Sequence, residues 1–136
     1  MNLVDSCGWL EYFANGSNAN FFSPVIENID YLLVPSICLL EVFKRIVQQR
    51  TEDEALQAMV GMQQAKVVVM DATLALEAAK LGLRLKMPLA DSVILATAYM
   101  YNATVWTQDA DFKGIKGVKY CEKPKLKKKD KYHLNK

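Results

Sequence analysis

At 136 residues, about half of them apolar and with a formal net charge of +2, the chain is the size of one ordinary domain that can bury a core without disulfides or structural metals. Its three cysteines, Cys7, Cys38 and Cys121, are odd in number, widely spaced and without a CxxC pair, which excludes a disulfide framework or an ordinary zinc site and reads as buried thiols in a reducing cytoplasm. The single histidine, His133, lies in the C-terminal tail, so a histidine relay or HExxH site is excluded from the body and catalysis there has to run on carboxylates.

The start shows no basic n-region followed by a long apolar stretch, and no later segment stays apolar long enough to span a bilayer. A soluble, unprocessed cytoplasmic protein is expected. Net charge conceals two unlike parts. Residues 1–122 carry ten Lys and Arg against fourteen Asp and Glu, a balance of −4, whereas 123–136 hold seven Lys against one Asp, a balance of +6. The expected organisation is one folded domain over 1–122 and a basic tail over 123–136. That tail is either a solvated terminus or an arm that meets polyanions through Lys123, Lys125, Lys127, Lys128, Lys129 and Lys131.

In chain order, Asn2-Leu-Val-Asp5 reads as a short strand, and Ser6 to Phe13 as a helix with Trp9, Leu10 and Phe13 at helical spacing. Gly8 weakens that helix relative to a better helix former. Together with Phe21 and Phe22, these apolar residues exceed what two short opening helices need for one core-facing stripe. Either all pack inward, or some form a groove for an amphipathic helix. Tyr31 to Val34 is a second strand, with Pro35 and Ser36 opening a helix from about Ile37 to Gln49. Thr51 to Gln64 is a further helix, in which Thr51 and Glu54 have capping-box spacing. Lys66 to Met70 is a β-branched strand, Asp71 caps a helix to about Lys86, and Pro88 starts another to about Asn102. Ala103 to Thr107 is a fourth strand and Gly117 to Cys121 a weaker fifth. Strands alternating with helices need crossover connections, so the class is α/β, with a mostly parallel sheet of four to five strands covered on both faces.

In such a sheet, ligands bind beyond the carboxyl ends of the strands. Asp5 ends the first strand, Asp109 follows the fourth by two residues with Asp111 beyond it, and Glu41 and Asp91 lie in the first turns of helices that begin on the same edge. Each has an ordinary explanation. Asp91 suits a helix macrodipole, Glu41 can pair with Arg45, Asp5 can cap its helix, and Asp109 and Asp111 suit a turn. Jointly, converging carboxylates repel unless a divalent cation neutralises them, and an all-oxygen set suits Mg²⁺ or Mn²⁺. One or two such ions are enough for phosphodiester hydrolysis.

Four segments, Leu3-Val-Asp-Ser-Cys-Gly-Trp-Leu-Glu-Tyr-Phe13, Pro35-Ser-Ile-Cys-Leu-Leu-Glu-Val42, Leu89-Ala-Asp-Ser-Val-Ile-Leu-Ala-Thr-Ala98 and Thr107-Gln-Asp-Ala-Asp-Phe112, resemble in order the signature segments of PIN domains, above all the VapC toxin branch. The resemblance spans roughly Met1 to Tyr120. It implies a three-layer α/β/α fold in which Asp5, Glu41, Asp91 and Asp109 take the acidic metal-site positions. It also places Asp111 in a supporting acidic role and Ser6 and Thr107 as bracing hydroxyls. It further implies a Mg²⁺- or Mn²⁺-dependent endoribonuclease, usually homodimeric, acting on an RNA substrate and held inactive by a small antitoxin. The tail is longer and more basic than the branch's usual ending. Two rivals stay within the family: a housekeeping PIN nuclease without an antitoxin, and a PIN scaffold that binds RNA or protein without cutting. A phosphorylation-switched receiver needs an acidic pair after the first strand, and an Asp-x-Asp phosphatase needs its second Asp there. Here Asp5 is followed by Ser6-Cys7-Gly8.

Overall fold

The computed structural model describes residues 1–124. Lys125, Lys127, Lys128, Lys129, Lys131 and His133 lie outside the described residues.

Five short strands form one sheet: β1 (Asn2–Val4), β2 (Leu32–Pro35), β3 (Lys66–Val68), β4 (Thr104–Thr107) and β5 (Val118–Tyr120). Their order is β3-β2-β1-β4-β5, and every neighbouring pair is parallel. Helices α1 (Ser6–Phe13) and α2 (Ala19–Ile26) lie between β1 and β2, and α3 (Ser36–Gln49) and α4 (Glu52–Met62) between β2 and β3. α5 (Ala72–Leu85) and α6 (Leu89–Met100) carry the chain from β3 to β4. Consecutive residues of β2 are buried, with Leu32, Leu33 and Val34 at 0–1% exposure, which requires cover on both faces of the sheet. The edge strands β3 and β5 are only partly buried. No helix among the described residues is long and apolar enough to cross a membrane.

The expected α/β class and the expected helix starts agree with this architecture. Thr51 accepts a bond from the Glu54 amide and Asp71 one from the Leu74 amide, each satisfying a first-turn donor that the helix cannot. β4 starts one residue later than expected, at Thr104, and β5 is one residue shorter at each end, while β2 and β3 differ for a physical reason. Tyr31 belongs to a 3-10 turn, Ile29–Tyr31, and is largely exposed, so β2 starts at Leu32. β3 ends at Val68 rather than Met70, because its only partner, β2, ends at Pro35, which lies opposite Val68. Val69 and Met70, with no strand beside them, are exposed.

Of the five large apolar residues in the opening segment, Trp9, Leu10 and Phe22 are buried, and Phe13 and Phe21 are partly buried against the core. The core thus claims three of the five, while Phe13 and Phe21 keep part of their surface exposed. Gly8 has a packing reason that its helix propensity hides. A Cβ there would lie 2.6 Å from Phe22 Cε1 and 2.6 Å from Val4 Cγ1, so α1 reaches β1 and α2 only because residue 8 has no side chain.

The chain runs outward from β1 to β2 to β3 and then returns to place β4 on the other side of β1. This reversal is a topological switch point between β1 and β4, where loops leave the strand ends in opposite directions and open a crevice.

Candidate metal centre

The end of β1 is tied to β4 one step beyond the strand, where the Asp5 amide donates to the Trp106 carbonyl at 3.0 Å. The chain then turns into α1 with Asp5 as its N-cap residue, and Asp5 Oδ1 accepts from the Ser6 amide at 2.6 Å. The capping expected as an ordinary role of Asp5 is present, but it uses only one oxygen. Oδ2 accepts from the Thr107 hydroxyl at 2.8 Å and from the Cys7 thiol at 3.3 Å.

Thr107 closes β4 and is fully buried. Its Oγ1 also accepts from the Asp109 amide at 2.9 Å, so one hydroxyl positions both acidic loops. Asp109 opens a 3-10 turn, Ala110–Phe112, that buried Phe112 anchors in the core, and Asp109 Oδ1 accepts from the Asp111 amide at 3.0 Å. Asp91 comes from another direction, as the third residue of α6, where the helix's orphan amides favour negative charge.

Asp5, Asp91 and Asp109 each place a carboxylate oxygen so that the three atoms lie within 4.8 Å of one another, and the residues are only 3%, 4% and 8% exposed. Three carboxylates this close repel one another as anions, and little solvent reaches them to offset that repulsion. A hard divalent cation relieves the repulsion, and an all-oxygen donor set is the kind it takes.

Glu41 lies outside that trio. It sits on the second turn of α3, half-buried, and accepts from the Ser6 hydroxyl at 2.7 Å, so Ser6 joins it to the Asp5 loop. The pairing with Arg45 is not made; Ser6 is the partner. Asp111 is exposed and approaches the cluster through its main-chain amide.

Two neighbours were not singled out by sequence reasoning. Cys7, one turn into α1, donates to Asp5, and burial, reinforced by the Asp5 charge, pushes its thiol well above the ordinary range. Its place two residues after Asp5, at the start of a helix, was the only signal. Gln108 stands between Thr107 and Asp109 and is 4% exposed; its Oε1 accepts from Asn18 Nδ2 at 2.9 Å. Asn18 also donates to the Glu122 carbonyl at 2.9 Å, and the Cys121 amide donates to the Thr107 carbonyl at 3.0 Å, which pins the segment after β5 beside the centre. A cleft of about 360 Å³ opens there, lined by Gln108, Asp109, Asp111, Tyr120 and Lys123 among others. Lys123, the lysine of the expected basic arm that falls among the described residues, thus lies beside the carboxylates.

Comparison with known proteins identifies the family and the fold. The family model for the PIN domain matches residues 3–118. A comparison with curated proteins found no match. Among solved structures, the chain is similar to a toxin-antitoxin complex from Klebsiella pneumoniae, with TM-score 0.72 and 22% identity over 87% of this chain and 95% of that one. It is also similar to Mycobacterium tuberculosis VapC20, described as a sarcin-ricin loop cleaving toxin, with TM-score 0.74 and 14% identity over 87% and 97% of the two chains. A third is the DNA-bound VapBC of Salmonella typhimurium, with TM-score 0.69 and 16% identity over 90% and 98%. At these identities the likeness establishes the shared fold.

Proposed function

The chain belongs to the PIN-domain family, and on that premise we propose that it is a Mg²⁺- or Mn²⁺-dependent endoribonuclease, the toxin of a toxin-antitoxin pair. The observation that carries the reading is the buried trio of Asp5, Asp91 and Asp109 at the switch point of the sheet. Asp5 and Asp91 are its leading metal ligands, with Asp109 and Glu41 as further ligands or as acceptors that orient the attacking water. Such a cation, when bound, supplies charge neutralisation and Lewis-acid activation for phosphodiester hydrolysis.

The chain's own residues do the positioning. The Thr107 hydroxyl fixes one Asp5 oxygen and the Asp109 main chain at once, and Ser6 holds Glu41 toward the same edge. Burial excludes bulk water, so the carboxylates keep their directions without rearranging as charge develops on the phosphate. Asp111 supports the turn that presents Asp109.

Similar structures are complexes of toxin with antitoxin, which supports an antitoxin as partner in the cytoplasm. Leu76, Leu83 and Leu89 stand 65%, 83% and 82% exposed, which supports a homodimer that covers them. Lys125, Lys127, Lys128, Lys129 and Lys131 are proposed as further phosphate contacts.

The test is incubation of the purified chain with total cellular RNA, with Mn²⁺ and with EDTA, followed by mapping of the cut ends. Discrete ends that appear only with the metal are expected. RNA left intact under both conditions would overturn the reading.

A further inference from the structure

The cleft beside the carboxylates has a wall that the metal chemistry does not use. Tyr120, at the end of edge strand β5, lines it although an edge strand needs no aromatic there, and Lys113 Nζ lies over its ring, 5.7 Å from the centroid. Gln108 lines it too. With Oε1 taken by Asn18, its amide nitrogen is the donor left over, on a side chain 96% removed from solvent, and no hydrogen bond from that nitrogen is made among the described residues. That nitrogen keeps contact with the solvent of the cleft, so a side chain otherwise fixed by its neighbours presents a donor that a ligand's acceptor can take in place of water. Lys123 completes the wall, held at the mouth by the bonds that pin Cys121 and Glu122.

Charge points the same way. Residues 1–122 carry a balance of −4 and the centre itself is acidic, so a polyanion is repelled from the very place where it would have to bind. The cationic excess of the chain begins at Lys123, and Lys123 is at the cleft. An aromatic face, a directional amide donor and a lysine side by side are the three components that single-stranded nucleic acid uses: stacking for a base, a hydrogen bond to its edge, and a charge for the phosphate. At about 360 Å³ the space is within the range of small-ligand sites.

We propose that Tyr120, Gln108 and Lys123 form a nucleotide subsite that takes one unpaired base of a single-stranded RNA next to the carboxylate trio. Tyr120 stacks on the base, the Gln108 amide donates to an acceptor on its edge, and Lys123 meets the adjoining phosphate. The subsite rests on the nuclease reading only in its choice of RNA as ligand. By requiring an unpaired base, it directs cleavage to loops and single strands and not to duplex.

The experiment uses the full chain and a fluorescein-labelled single-stranded RNA, with binding read by anisotropy in EDTA so that no cleavage intervenes. Tyr120→Phe keeps the ring and is expected to bind as the parent does. Tyr120→Leu is expected to weaken binding at least about fivefold, as for a lost base–aromatic stack. Lys123→Gln should flatten the salt dependence by roughly 0.7 log units per log of salt. Melting curves establish that each variant is folded. Tyr120→Leu binding as tightly as the parent, duplex RNA binding as well as single-stranded RNA, or no binding by the parent at low salt would each overturn the subsite. Binding by the parent without Mn²⁺-dependent cleavage would instead remove the nuclease reading and leave the subsite standing.

Discussion

The Thr107 hydroxyl donates to Asp5 Oδ2 at 2.8 Å, so the last residue of β4 holds the carboxylate that ends β1. The same oxygen accepts from the Asp109 amide at 2.9 Å. Thr107→Val keeps the shape and removes both bonds. It is expected to cost about 1–3 kcal/mol, for the buried partners left unsatisfied, and to lower metal affinity about 10–100-fold, as loss of an outer-shell bond to a ligand does. Thr107→Ser should restore most of both. Thermal unfolding with a Mn²⁺ titration measures them together.

Asp5→Asn and Asp91→Asn distinguish a metal cluster from capping and macrodipole roles. If the trio repels itself, removing one charge in EDTA is neutral or stabilising, whereas a lost macrodipole charge costs about 0.3–1 kcal/mol. Asp91→Asn is the cleaner variant, because Asp5 also caps α1. Metal-dependent cleavage should fall by more than the roughly 100-fold of an outer-shell change, and the rise in melting temperature with Mn²⁺ should shrink. Full cleavage by both variants and no metal-dependent stabilisation of the parent would sink the metal-site assignment.

Gly8→Ala tests close packing against helix propensity. Propensity alone favours alanine by about 1 kcal/mol. The Cβ, however, would meet Phe22 and Val4 at 2.6 Å, so a net loss of about 1–3 kcal/mol from overpacking is expected. Denaturant unfolding decides the sign; a more stable variant would mean that α1 can shift freely.

The three thiols should alkylate in two classes. Cys121 is partly exposed, while Cys7 and Cys38 are buried, with thiols that burial and the Asp5 charge push well above the ordinary range. A raised thiol stays protonated as pH rises, so mild alkali leaves Cys7 and Cys38 unreactive in the folded protein. In the unfolded chain they ionise near the ordinary value. Their contribution to stability is therefore complete below that value and declines as pH rises above it. Mass spectrometry after iodoacetamide at pH 8 is expected to find one modified cysteine in the native protein and three in denaturant. Rapid native labelling of Cys38 would contradict its burial in α3.

The sequence alone determined the α/β class, because strands that alternate with helices admit little but a parallel sheet. It also determined the helix starts at Thr51 and Asp71, because capping is a local interaction whose donors and acceptor lie within three residues. It placed Asp5, Asp91 and Asp109 on one sheet edge, since position after a strand or at a helix start follows from chain order. It did not determine which acids meet. Glu41 and the three aspartates are alike as sequence, and only tertiary packing brings Asp5, Asp91 and Asp109 within 4.8 Å while Ser6 takes Glu41. The necessity of Gly8, the double role of Thr107 and the wall made by Gln108 and Tyr120 were equally out of reach. Each depends on partners up to about a hundred positions away, such as Asp5 for Thr107 and Asn18 for Gln108. Periodicity and capping encode contacts along one element, whereas contacts between elements are fixed only when the strand order β3-β2-β1-β4-β5 sets which chain ends become neighbours.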